Sequence, residues 1–238
     1  GMQRRNFSKG FVQSDSRNGE TVEEASAARL SFAINQWFGK ADFLYQAGNS
    51  HAVNFGLMSQ LYNVNSGTYE PVGPNSLVRY DELQKDKALE SAVYIGDEWD
   101  ITSRLSINAG IRYSMLNALG PCTYYTYQEG ILPSMSSVAD SITAGNGKVI
   151  KTYHGPEFRV SARYAFTDDF SVKAGFNTMR QYIHKVSNTA VMSPTDTWKL
   201  SDPNIKPQRG WQVAAGAYYN TPGQLLELSV EGYYKKLI

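Results

Sequence analysis

The chain has 238 residues, a net charge of +1, 42% apolar residues and a single cysteine, Cys122. The length bounds it at one large domain or two small ones, and the composition affords a core. A near-neutral balance gives no case for nucleic acid or an anionic membrane surface, one cysteine excludes a disulfide framework or a multi-cysteine metal site, and no apolar run approaches the roughly 18 residues of a membrane-spanning helix.

Residues 1–26 carry little periodicity and read as an N-terminal loop or poorly ordered segment, leaving 27–238 as one β domain. Leu30, Phe32 and Ile34 open the series of period-two faces. The next has Val53, Phe55, Leu57 and Leu61 opposite Asn54, Gly56 and Gln60. Leu105, Ile107, Ala109, Ile111 and Tyr113 then alternate with Ser106, Asn108, Gly110 and Arg112. Phe158, Val160, Ala162, Tyr164 and Phe166 alternate with Arg159, Ser161 and Arg163, and Phe170, Val172, Ala174 and Phe176 with Ser171, Lys173 and Gly175. Trp211, Val213, Ala215, Ala217 and Tyr219 form another face, and Leu226, Leu228, Val230 and Tyr234 the last. No apolar run at helical spacing carries caps at both ends. The expectation is an all-β antiparallel meander of about seven or eight strands.

The connections alternate in length. Short, turn-like ones fall at 47–50, 100–104, 167–169 and 220–224, and long polar ones at 63–86, 117–155 and 187–210. Long structureless loops are uncommon in compact soluble domains, whereas short turns at one end and long loops at the other characterise outer-membrane barrels. The second face points the same way. Arg112, Arg159, Arg163 and Lys173 sit among Gly and Ser, as on the wall of a water-filled or plugged lumen. The pattern favours a transmembrane β-barrel part, with the oily face toward lipid. The alternative is a small free-standing β-barrel or β-sandwich that acts as a binding or adhesion module.

No residue pattern supports an enzyme. His51, His154 and His184 lack metal-ligand spacing and read as strand-end or loop residues. Cys122 has no neighbouring His base for thiol catalysis. Asp168-Asp169 is explained by turn chemistry, and Asp97, Glu98 and Asp100 lack a calcium-loop glycine. Thr143–Lys151 lacks the full phosphate-loop pattern and reads as a loop tip. Neither a metal nor another cofactor is implied. Tyr124, Tyr125, Tyr127 and Trp198 lie in long connections, where exposed aromatics suit ligand contact.

The stretch "AVYIGDEWDITSRLSINAGIRYS" resembles the barrel strands of TonB-dependent outer-membrane receptors. "YHGPEFRVSARYAFTDDFSVKAGFNTMRQYIHKVSN" followed by "SPTDTWKLSDPNIKPQRGWQ" is similar to the Bacteroidetes type of that family. The resemblance covers most of the chain from His51 onward. It implies a longer parent of about 22 strands with a plugged lumen, the plug and the terminal aromatic-ended strand lying outside these residues. It further implies an outer-membrane location in a Gram-negative cell and uptake of a nutrient: an iron chelate, vitamin, glycan or peptide. Its implied partners are the plug, the TonB energy-coupling complex, a surface lipoprotein and the lipid bilayer. Arg112, Arg159, Arg163 and Lys173 would then touch the plug or guide an anionic substrate.

Overall fold

Side chains on a strand alternate between faces, so each period-two run can place one face on each solvent once neighbouring strands fix the register. In the computed structural model, residues 3–9, 12–17, 20–25, 28–72, 79–186, 197–221 and 225–238 are described. They form β1 (Gln3–Lys9), β2 (Val12–Arg17), β3 (Glu20–Ala25), β4 (Ala28–Ala47), β5 (His51–Pro71), β6 (Asp81–Glu82), β7 (Asp86–Asp100), β8 (Leu105–Leu119), β9 (Cys122–Tyr127), β10 (Val138–Ala144), β11 (Val149–Ala165), β12 (Phe170–Gln181), β13 (Ile183–Val186), β14 (Thr197–Leu200), β15 (Gln208–Asn220) and β16 (Glu227–Leu237).

One sheet runs in the order β1-β4-β5-β7-β8-β11-β12-β15-β16, with β6 added to β5. Eight of its strands, from β4 onward along that path, form an antiparallel meander curled as a half-barrel. The pairs β2–β3, β9–β10 and β13–β14 are separate hairpins inside the long connections. The short turns share one end. Backbone bonds of 2.8 Å run from Asp100 N to Ser50 O, from Ala165 N to Arg104 O and from Asn220 N to Asp169 O, tying each turn to the next. Gly48, at φ +71°, supplies the left-handed residue that the β4–β5 turn requires. Residues 222–224 of the fourth expected turn lie outside the described residues, but Thr221 N donates to Leu226 O at 2.9 Å across its base.

The register settles the faces. Phe43, Phe55, Ile95, Ile111 and Phe158 lie in one row across five strands, and Val160, Phe176, Val213 and Tyr234 lie in another on the same face. These side chains are exposed, so the oily face looks outward and is not a core. Aromatic groups border this band. Trp99 stacks on His51 at 5.3 Å and Tyr164 meets Phe166 edge-on at 4.8 Å near the short turns, while Tyr113 Oη lies 2.6 Å from His154 Nδ1 at the other border. From Leu105 to Tyr113 a strand rises about 27 Å, which matches the roughly 25 Å apolar band of a membrane barrel.

Three sequence expectations differ from the structure. Residues 3–9 are a strand paired with β4, and β2–β3 is a hairpin, where a loop or poorly ordered segment was expected over 1–26. Leu30 and Ile34 belong to the inner face: Leu30 is buried, and Ile34 packs against an internal cluster. The outward apolar side chains of β4 are Trp37, Phe43 and Tyr45, one residue out of phase with the expected set. The long connections are not structureless either. β5 spans 21 residues, about 70 Å, and therefore continues well beyond a hydrocarbon layer of about 30 Å.

Candidate functional site

The inner wall is built from the alternate residues of the same strands. From the upper border of the apolar band upward it carries an ionic cluster. Glu90 on β7 accepts from Tyr62 Oη at 2.9 Å and from Arg112 Nη2 at 3.0 Å. Arg112 Nε lies 3.6 Å from Glu157 Oε1 on β11. Glu157 also accepts the backbone N–H of Arg180 at 3.3 Å. The guanidinium of Arg180 occupies the space a side chain at Gly155 would fill, and Gly155 holds a φ of +154° that other residues rarely adopt. A groove of about 330 Å³ lies below this cluster, lined among others by Lys40, Asn54, Tyr94, Gly110, Arg112 and Arg159.

A hairpin closes over the upper wall. β13 and β14 leave the β12–β15 connection and turn inward, so that Tyr182 and Leu200 pack with Tyr62, Val64, Ala88 and Leu116 in a buried cluster. Trp198 packs against its margin. The anchor is also polar. Lys199 Nζ lies 3.4 Å from Asp86 Oδ1, Leu200 N donates to Asp86 Oδ2 at 3.3 Å, and Tyr153 Oη donates to the Asp202 carbonyl at 2.8 Å. Ser114 Oγ meets Tyr182 Oη at 2.8 Å, and His184 Nε2 meets Ser201 Oγ at 2.9 Å. Burial pushes the Tyr182 phenol up and the His184 imidazole down from their ordinary values. It also pushes the Cys122 thiol up, with the carboxylates of Asp86 and Asp202 acting in the same direction, which keeps that group in its unreactive form.

The expected wall residues all fall on the inner face, but the structure divides them. Arg112 is tied into the Glu90–Glu157 cluster. Arg159, Arg163 and Lys173 lie lower and exposed, with Arg163 and Lys173 directly opposite in register. Tyr124, Tyr125 and Tyr127 sit on β9, paired with β10 outside the wall. Trp198 belongs to the inward hairpin. The two groups approach each other through the loop after β14, where Asn204 Nδ2 donates to the Tyr125 carbonyl at 3.2 Å. Sequence reasoning missed Glu90, Glu157, Asp86 and Lys199. Glu157 was within reach of it, since it shares the face of Arg159 two residues away, whereas Glu90 meets Arg112 only through the β7–β8 register.

An apolar outer face, a polar inner wall and loops gathered at one end define part of an outer-membrane β-barrel. The chain belongs to the TonB-dependent receptor β-barrel family: the profile described as "TonB dependent receptor-like, beta-barrel" matches residues 3–237. Members are outer-membrane proteins of Gram-negative bacteria and act as transport receptors. No curated protein matches it in sequence. Among solved structures it is similar to the ferric yersiniabactin uptake receptor FyuA from Yersinia pestis, at 15% identity and a TM-score of 0.55, over 99% of this chain and 32% of that one. It is also similar to the closed form of the ferric-catecholate import receptor Fiu from E. coli K12, at 14% identity and a TM-score of 0.51, over 99% of this chain and 38% of the receptor. The copper transporter OprC compares at 13% and 0.53, over 99% of this chain and 39% of OprC. The chain thus spans 32–39% of these structures and shares their fold.

Proposed function

We propose that the chain is wall and outer-loop structure of a Bacteroidetes-type receptor that takes up a nutrient across the outer membrane. A separate plug domain closes the lumen, and the TonB energy-coupling complex acts on that plug. The observation that carries the reading is the pairing of an outward apolar band with an inner wall of Arg, Glu, Asn and Gly, which gives the lumen water and charge. Capture falls to the loop end. There a cavity of about 820 Å³ opens beside Tyr153, His184, Lys206 and Arg209, and β9 presents Tyr124, Tyr125 and Tyr127. A surface lipoprotein is the natural partner of that same end. The cargo named for the similar structures, ferric chelates and copper, brings metal complexes into the range of nutrients beside vitamins, glycans and peptides.

The test is uptake in the native host. Deleting the gene should abolish uptake of one member of a labelled panel of chelates, cobalamins, oligosaccharides and peptides. Deleting the TonB component should abolish it equally. Uptake that survives loss of TonB would exclude the energy-coupled reading.

A further inference from the structure

Asp97 breaks the outward apolar face. Its row across the sheet is Val53, Asp97, Ala109, Val160, Phe176 and Val213, so an acid stands where every register partner is apolar. Among the described residues it is the one acid facing outward between the short turns and the Tyr113 border. Neither flanking strand answers it with a Lys or Arg, because none faces outward on β5 or β8. Its ion-pair partner among the described residues is His51, whose Nδ1–H donates to Asp97 Oδ2 at 2.7 Å.

That pair leaves polar groups over. Asp97 Oδ1 is buried without a hydrogen-bond partner among the described residues, and a carboxylate withdrawn from water needs its acceptor sites filled. The side chain as a whole is 36% exposed. With Oδ1 covered, that exposure lies on the Oδ2 side, and a compensating cation has to enter there. Trp99 stacks on His51 at 5.3 Å and is itself exposed. Its Nε1–H, like Nε2 of His51, has no hydrogen-bond partner among the described residues. One outward patch thus offers an acceptor to a cation and a donor to an anion.

The depth fits a headgroup. Asp97 lies three residues before the end of β7, about 10 Å along the strand and less in height because barrel strands tilt. This is the interfacial layer between hydrocarbon and water, where tryptophan concentrates. Short turns of such barrels lie on the periplasmic side, and the leaflet there is built of phospholipid.

We propose that Asp97, His51 and Trp99 form a headgroup site for a zwitterionic aminophospholipid of the phosphatidylethanolamine type. The primary ammonium donates to Asp97 Oδ2, and the phosphate accepts from Trp99 Nε1–H. Charge selects this occupant. The carboxylate repels an anionic headgroup such as phosphatidylglycerol, and a choline headgroup has no N–H to donate. The indole face adds attraction for the ammonium. The proposal rests on the reading that the outward face meets lipid, and it adds which lipid is held and by which atoms.

The test uses the gene product at its native length, purified from outer membranes and delipidated in detergent. Phosphatidylethanolamine, phosphatidylcholine and phosphatidylglycerol with the same acyl chains are added in turn, and bound lipid is counted by native mass spectrometry. The wild type should retain the ethanolamine lipid in preference to the other two. Asp97→Asn should weaken that lipid about tenfold, the lower end for a hydrogen bond to a charged group, and should erase the preference over choline. Trp99→Phe should weaken both phosphate-bearing zwitterions alike and leave their ratio unchanged. Glu98→Gln, the next residue on β7 but on the inner face, should change nothing. A preference that survives Asp97→Asn, or one that Glu98→Gln lowers as much, would overturn the proposal. So would equal retention of the ethanolamine and choline lipids by the wild type, a comparison that needs no variant to fold. Heat-modifiable mobility reports barrel formation separately. Its absence from the wild type would overturn the membrane reading and this proposal together, whereas equal retention with that mobility intact overturns this proposal alone.

Discussion

Glu90 illustrates how one side chain on the inner wall serves two neighbours. It is nearly buried, and its two oxygens are divided between the Tyr62 hydroxyl and the Arg112 guanidinium. Glu90→Gln keeps the shape but removes the charge that both donors face. Hydrogen bonds to charged groups contribute about 1.5–3 kcal/mol each, and Glu157 remains to hold Arg112, so a loss of about 2 kcal/mol is expected, read by thermal unfolding in detergent. His184 gives the complementary case of a group that resists charge. Burial lowers its pKa below the ordinary 6.5, with Asp202 opposing. The folded ring therefore binds fewer protons than the unfolded one near that value. Its contribution to stability is full above pH 6.5 and is lost as the pH falls through the lowered folded value. Protection factors on β13, the exchange rates taken relative to the intrinsic rate at each pH, should fall between pH 7.5 and 5, and His184→Gln should flatten that dependence. An identical pH profile in the variant would assign the effect to another group.

At the scale of elements, the inward hairpin is held by packing more than by its own ladder. β13 and β14 are four residues each, far below what an isolated hairpin needs for stability in water. Leu200, 2% exposed, is its main anchor in the cluster with Val64 and Leu116. Leu200→Ala should cost about 2–5 kcal/mol at that site. Amides of Ile183–Val186 should then exchange as if unprotected, while the β12–β15 ladder keeps its protection. Uniform loss of protection across both would show that the hairpin and the wall unfold as one unit. This hairpin also marks where the sequence ceased to be readable. The long strands showed themselves because lipid on one side and water on the other enforce strict alternation, as from Leu105 to Tyr113. Above the membrane band that constraint ends. There Ile34, Val64 and Leu116 turn inward onto the hairpin, and apolar residues mark the inside of the wall where lower down they mark the outside. Four-residue strands carry too few alternations to register, so the stretch from 187 to 210 read as a long polar connection. Arg112, Arg159, Arg163 and Lys173 were legible as one face because parity alone places them. Their division into paired and bare cations depends on which acids the register brings near, and no single strand contains that information.

For the whole molecule, the two faces of the sheet make opposite demands. Val160 faces outward at 46% exposure, and its neighbour Ser161 lies on the inner face. In a bilayer, Val160→Arg should destabilise by about 2–4 kcal/mol. Ser161→Arg, placed against water, should cost far less, and the contrast between adjacent positions is measurable by chemical unfolding in lipid vesicles. Equal costs at both would mean that both faces meet the same solvent. The chain taken by itself carries this outer face together with open edges. β1 and β16 end the sheet, and every residue of β16 is exposed. Phe55, Ile95, Val160, Val213 and Leu228 add to an apolar band across the meander. Soluble monomers rarely tolerate contiguous apolar patches beyond a few hundred Å², and a free strand edge invites pairing with another chain. Curling into a small closed barrel would mend the edges through a new seam between the β1–β4 edge and β16, yet would leave the outer face bare. The 238-residue chain should therefore need detergent or self-associate in plain buffer. Light scattering without detergent decides the matter: a monodisperse species at 26.5 kDa would require the outward apolar rows to be packed against each other, and the face assignment would have to be reversed.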